Sequence, residues 1–235
     1  MFLKGKNMKK EWIKARSDVG NIPMVLSLVK QGMADLTRGK RHMDYPFKLE
    51  GTQRRRSTRG EARVEAALLS ASKPLRKCIL MAKGIRKEIE FKANAAGLGN
   101  RREGNIIVDL FGLDQMGSPV AGEVKISDKN PWYAVVECAA QVALLRSDRQ
   151  NLKEWLRKAL KEDIRGRGSW GMVIAPKKYW RKKETECAKH LVEELRKKTK
   201  IRICCVSYDE NKPLDEIKLN VEFGRPPSAR QVKWN

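Results

Sequence analysis

The sequence predicts an α/β fold with a central mixed β-sheet flanked by helices, and three observations predict it. Short runs rich in β-branched and aromatic residues, bounded by turn formers, read as strands: Glu88–Asn94, Ile106–Leu113, Val120–Ser127, Trp170–Ala175 and Ile201–Val206. Segments of helical period lie around them: Thr58–Lys73, a stretch from Pro131 to Arg146, Leu152–Ile164 and Glu184–Lys198. The order is therefore helix, three strands, helix, helix, strand, helix, strand. With 235 residues the chain can bury one proper core. We divide it into a basic helical extension (1–58), the α/β core (59–208) and an extended polar tail (209–235).

In the extension, Pro23–Leu36 has helical spacing, with Val25, Leu28, Val29 and Leu36 on one side. That side suits docking on the core or on a second subunit, so a homodimer is one expectation. Arg38-Gly39-Lys40-Arg41 and the run Arg54, Arg55, Arg56 concentrate positive charge that can track phosphates or can simply be a solvated linker. Thr58-x-x-Glu61 has the form of a capping box opening a helix, which Pro74 ends or kinks. Leu75–Gly84 reads as a further helix ending at its glycine.

Glu88–Asn94 alternates, so Ile89, Phe91 and Ala93 point inward. Ala95–Gly104 reads as a loop in which Arg101 and Arg102 can meet a phosphate, although a plain surface turn explains its glycines. Asp114-Gln115-Met116-Gly117-Ser118-Pro119 is dense in turn formers and joins the next two strands into a hairpin. Pro131 suits the first turn of the helix that follows, with Trp132, Val135, Val136, Ala139, Val142 and Leu145 as its apolar surface. After the Trp170 strand, Lys177, Lys178, Arg181, Lys182 and Lys183 surround Tyr179 and Trp180. Basic residues interleaved with aromatics suit a nucleic-acid strand, and they also suit the surface start of a helix.

The central hairpin carries the chemistry. A buried charge is unfavourable unless paired or metal-bound, yet these apolar strands contain Asp109, Glu123 and Lys125. Side chains alternate along a strand, so Glu123 and Lys125 share one face while Val120, Gly122, Val124 and Ile126 share the other. The hairpin sets Asp109 beside them. Two carboxylates and a lysine on one face are what a hard divalent cation and a phosphodiester need. The competing reading is a solvated ion pair on an edge strand.

Asp109, thirteen intervening residues and then Glu123-Val124-Lys125 resemble the signature of the PD-(D/E)XK, or restriction-endonuclease-like, nuclease superfamily. The resemblance covers about forty residues. It implies a restriction-endonuclease-like sandwich, Mg²⁺ (with Mn²⁺ as substitute) held by Asp109 and Glu123, and a lysine, Lys125, that positions or activates water. The family's following helix often carries a Gln with a Tyr four residues later. Gln141 stands in the matching place, with Leu145 where the Tyr would be; the plain alternative is that Glu137 and Gln141, four apart, form one polar stripe on the helix. Gly122 replaces the apolar β-branched residue usual before the tripeptide, and Asp109 follows Val108 rather than a proline. An extra helical glutamate is common before the first strand. Glu65 fills that role here, since Glu61 is explained by capping; a solvent-facing Glu65 is the plain alternative.

Net charge is 51 − 28 = +23, which points to a polyanionic partner, with DNA the leading expectation. Cys78, Cys138, Cys187, Cys204 and Cys205 form no C-x-x-C pair and read as free thiols in a reducing cytoplasm. Only His42 and His190 are present, so a His-ligated metal nuclease or a Ser-His-Asp hydrolase is hard to build. No apolar run approaches the roughly 20 residues a membrane span needs, so no membrane partner is expected. Two other classes stay open: a nucleic-acid-binding protein with this fold that does not cleave, and a basic assembly protein.

Overall fold

The computed structural model describes residues 5–38, 43–44, 48–49, 60–71, 78–82, 85–98, 107–126, 130–147, 149–166, 168–211 and 218–227. In chain order these form α1 (Gly5–Ser17), α2 (Ile22–Arg38), β1 (Met43–Asp44), β2 (Lys48–Leu49), α3 (Gly60–Ala71), β3 (Cys78–Ala82), β4 (Ile85–Leu98), β5 (Ile107–Asp114), β6 (Pro119–Val124), α4 (Pro131–Ser147), α5 (Arg149–Trp155), β7 (Trp170–Pro176), α6 (Thr185–Thr199), β8 (Ile203–Tyr208) and β9 (Lys218–Gly224). A π-helical turn, Leu156–Leu160, continues α5, and a 3₁₀ turn, Lys177–Arg181, follows β7. Among the described residues no helix is long and apolar enough to cross a membrane.

The strands make one mixed sheet flanked by helices. β4, β5 and β6 run antiparallel in sequence, β7 joins β6 in parallel, and β8 joins β7 in parallel. β9 then pairs antiparallel with β8 and parallel with β3, and β3 returns antiparallel to β4. The pairings therefore close into a circuit, which covers strand edges that would otherwise stay open.

Alternation along the strands separates two cores. Ile89, Phe91, Leu110, Val120, Val124, Met172, Ile174, Cys204 and Val206 pack with Val64, Leu68 and Leu69 of α3. Phe111, Ala121, Val173, Ala175, Ile203 and Cys205 face the other way, against α4 and the helices around it. α4 is buried nearly all round, as a helix apolar on every side must be. It begins at an Asn130 cap, whose Oδ1 accepts from Tyr133 N at 2.8 Å, with Pro131 in the first turn. The β5–β6 turn is tied by Asp114: Oδ1 accepts from Met116 N and Ser118 N, each at 2.9 Å, and Oδ2 accepts from Trp170 Nε1 at 3.1 Å.

Several expectations need correction. Cys78–Ala82, expected to be helical, is a strand, because its register on β4 and β9 overrides local helical preference. The polar tail contains β9, paired on both sides. β4 continues through Leu98, where a loop was expected. α1, not foreseen, places Trp12 and Ala15 in the core beside Val25, Leu28 and Val29 of α2. Tyr179 and Trp180 are buried rather than offered for stacking: Tyr179 Oη donates to Asn130 O at 2.8 Å and Trp180 Nε1 to Val206 O at 3.1 Å. Cys138, Cys187, Cys204 and Cys205 are free thiols.

Candidate carboxylate and lysine active site

The site lies where β6 ends and α4 passes over it. β5 and β6 pair Leu110 with Gly122; one step further along that register sets Asp109 opposite Glu123, on the face that meets α4. Asp109 Oδ2 accepts from Val124 N at 3.2 Å. Glu123 is 2% exposed and Lys125 8% exposed, which rules out the solvated edge-strand pair. Lys125 Nζ lies 2.5 Å from Glu123 Oε1, 3.2 Å from Glu137 Oε2 and 4.0 Å from Glu61 Oε1. Gln141, 1% exposed, donates through Nε2 to Glu123 Oε2.

The structure thus brings together Asp109, Glu123, Lys125 and Gln141. Glu65 sits half-buried on α3, but the α3 glutamate 4.0 Å from Lys125 is Glu61, which sequence assigns to capping alone. Arg54, Arg55, Arg56, Arg101 and Arg102, and the proposed cap Thr58, lie outside the described residues. Lys177, Lys178, Arg181 and Lys182 follow directly from β7, parallel to β6, at the same end of the sheet as Lys125. Lys178 pairs with Glu210 at 2.9 Å, and Lys182 lies over the Tyr179 ring at 4.7 Å.

Two participants escaped sequence reading. Glu137, one turn before Gln141, is the third carboxylate of the group. Its signal was visible: an isolated acid in an otherwise apolar helix needs a partner. Arg16 of α1 approaches Glu137 Oε1 at 3.0 Å and sits over the Tyr133 ring. Nothing local in the sequence announces that contact.

The electrostatics follow from burial and crowding. Desolvation, then the charges of Asp109 and Glu137, push Glu123 well above the ordinary carboxylate range. Desolvation also raises Asp109, partly offset by Lys125 and the Val124 N–H. Burial opposes charge on Glu137 too, but a hydrogen bond with Glu123 and the charges of Lys125 and Arg16 outweigh it, so Glu137 falls below the ordinary range. For Lys125, burial is outweighed by the surrounding carboxylates, and its ammonium is held firmly charged. Crowding of the carboxylates around one ammonium therefore makes the group hold a proton more tightly than an isolated carboxylate would.

Gly122 has a physical reason. A Cβ there would lie 3.0 Å from both Phe91 Cε1 and Leu110 Cβ. The Phe91 ring fills the space that a β-branched residue would take.

At the level shown, this is an α/β protein with a buried carboxylate–lysine centre on adjacent strands. No family model, no curated protein and no solved structure matches the chain.

Proposed function

We propose that the protein is a metal-dependent nuclease of the PD-(D/E)XK, restriction-endonuclease-like kind, hydrolysing phosphodiester bonds in DNA. The observation that carries this reading is the convergence of Asp109, Glu123 and Lys125 from neighbouring strands into one buried group. The order α3, β3, β4, β5, β6, α4, α5, β7 follows the succession that the resemblance leads one to expect, with β3 and α5 added to it. Net charge of +23 suits a polyanionic substrate.

The donor set fits Mg²⁺ or Mn²⁺. Among the described residues no group of three or more His, Cys, Asp or Glu side chains is spaced as a ready metal cage. Mg²⁺ does not need one, since one or two carboxylates plus waters and substrate oxygens hold it. Asp109 and Glu123 would supply those carboxylates, and their mutual repulsion favours a cation between them. When bound, the metal makes coordinated water more acidic and stabilises charge on the phosphate.

The remaining roles belong to the chain. Gln141 fixes the orientation of the Glu123 carboxylate. Lys125 orients the attacking water or offsets charge on the scissile phosphate. Glu137 and Glu61 restrain Lys125. Exposed Lys177 and Arg181, at the same end of the strands, meet the flanking backbone.

The test incubates the protein with linear, circular, single-stranded and branched DNA, with Mg²⁺, Mn²⁺ or chelator. Cleavage should need metal, and Lys125→Ala should abolish it while leaving binding nearly intact. Salt-sensitive binding without product in either metal would instead identify a binding protein that keeps the fold. Identical products from wild type and Lys125→Ala would remove Lys125 from the reaction.

A further inference from the structure

Positive charge also gathers at the opposite end of the strands. There the last turns of α6, the start of β8 and the end of β9 surround an open pocket lined by Val192, Glu193, Arg196, Arg202, Ile203 and Arg225. Arg196, Arg202 and Arg225 are exposed, and none takes part in an ion pair among the described residues. The neighbouring Lys197 and Lys198 are different, since Glu194 lies 3.5 and 2.8 Å from them. Glu193, the acid of the pocket, is 3.9 Å from Lys197. Arg146, close enough to Arg202 to feel its charge, spends its guanidinium on the carbonyls of Ser169, Thr199 and Lys200.

The arrangement is held in place by the backbone. Gly224, at φ +80°, presses the end of β9 onto β8 so closely that a Cβ would stand 2.2 Å from Ile203 O. That contact fixes Arg225 beside the β8 strand whose preceding residue is Arg202. Three guanidinium groups in a concave site whose lining holds one acid, Glu193, leave a net positive field, and their planar forks match phosphate oxygens. The pocket is also remote from the carboxylate centre. α4 runs from Glu137 at that centre to Arg146 near Arg202, nine residues or about 14 Å at 1.5 Å each. Along a duplex axis that is roughly four base-pair steps.

We infer that Arg196, Arg202 and Arg225 form a second phosphate-binding site, which grips nucleic-acid backbone away from the bond presented to Asp109, Glu123 and Lys125. The inference deepens the nuclease reading, but its binding part stands without cleavage.

The experiment measures binding of the full chain in chelator, over a range of salt. One duplex is long, and the short one is a loop-closed hairpin of about three base pairs, which stays paired but does not reach from the centre to the pocket. The variant Arg196→Gln/Arg202→Gln/Arg225→Gln should bind the long duplex about tenfold or more weakly. Its salt slope should fall by up to about 3, near 0.9 for each lost phosphate contact. Short-duplex affinity should stay within about twofold, in line with an unchanged local site. A long-duplex slope equal to wild type overturns the inference, as does equal loss on both duplexes, which would be a bulk-charge effect. Inorganic phosphate binding that the variant loses, with duplex affinity untouched, would mark a small-anion site and also overturn it. Should the triple variant misfold on thermal melting, Arg202→Gln and Arg225→Gln are read singly, each with a slope loss of about 1. Failure of wild type to cleave, with the slope loss present, would sink the nuclease reading and keep the pocket.

Discussion

Glu137 joins the N-terminal helix to the buried Lys125: its Oε1 lies 3.0 Å from Arg16 Nη1, and its Oε2 lies 3.2 Å from Lys125 Nζ. The α1–α4 junction is secured nearby, where Trp132 Nε1 donates to Ala15 O at 2.9 Å. A helix far away in the chain thereby holds a group of the carboxylate–lysine centre.

Arg16→Ala should lower the single-turnover cleavage rate by about tenfold, near 1.4 kcal/mol in the barrier. Duplex affinity should change little, because Arg16 is engaged with Glu137 and the Tyr133 ring. Arg16→Lys should restore part of the rate. A rate unchanged in Arg16→Ala would show that Glu137 does not transmit α1 to Lys125.

Lys125→Ala should be destabilising as well as inactive. Removing the ammonium leaves Asp109, Glu123 and Glu137 facing one another, and breaking a buried ion pair on one side typically loses about 3–5 kcal/mol. Protonation of Glu123 and Asp109 limits that loss. Mg²⁺ should raise the melting temperature of Lys125→Ala more than that of wild type, since the cation replaces the missing positive charge. Equal shifts in the two proteins would argue against cation binding by these carboxylates.

The raised Glu123 makes a signed prediction for metal-free protein. A group whose folded pKa lies above its unfolded value contributes stability that is present at low pH and lost as pH rises through the folded value. For Glu123 the loss begins above the ordinary carboxylate range. Glu137, lowered on folding, acts in the opposite sense: its contribution is lost as pH falls through its folded value. Glu123→Gln in chelator should therefore match wild type at acid pH and become more stable than wild type as pH rises. The gain should be on the order of 1 kcal/mol for each unit by which Glu123 is raised. Chemical denaturation across pH measures it, and a gain that does not grow with pH counts against the protonated Glu123.

Gly171→Ala tests how the sheet supports the site. A Cβ at Gly171 would stand 2.4 Å from Cys138 Sγ and 2.8 Å from Val142 Cγ2. α4 would have to lift from β7, taking Glu137 and Gln141 with it. The expected destabilisation is about 1–3 kcal/mol, accompanied by a fall in cleavage rate. Retained stability and rate would mean that the helix shifts without disturbing the carboxylates.

Much of the strand pair that carries Asp109, Glu123 and Lys125 was legible from residue order. Alternation alone placed Glu123 and Lys125 on one face and Val124 on the other, and the turn residues from Asp114 to Pro119 announced the hairpin that sets Asp109 opposite Glu123. Strands β7 and β8 and helix α6 stood out by period. β3 and β9 did not, because their strand character comes from neighbours distant in sequence that complete their hydrogen bonds. Tyr179 and Trp180, read as possible stacking platforms, turn inward because β8 and the Asn130 turn offer acceptors to their polar atoms.

The sequence by itself determined an α/β protein of very high positive charge whose central hairpin carries an acid, a second acid and a lysine. Periodicity and turn chemistry are local, so they survive without knowledge of the rest. Tertiary structure alone decided that the sheet closes on itself, that Glu137 completes the carboxylate group and that Arg16 holds it. Those facts depend on packing between segments as far apart as residues 16 and 137, and local patterns carry no record of which distant side chains meet.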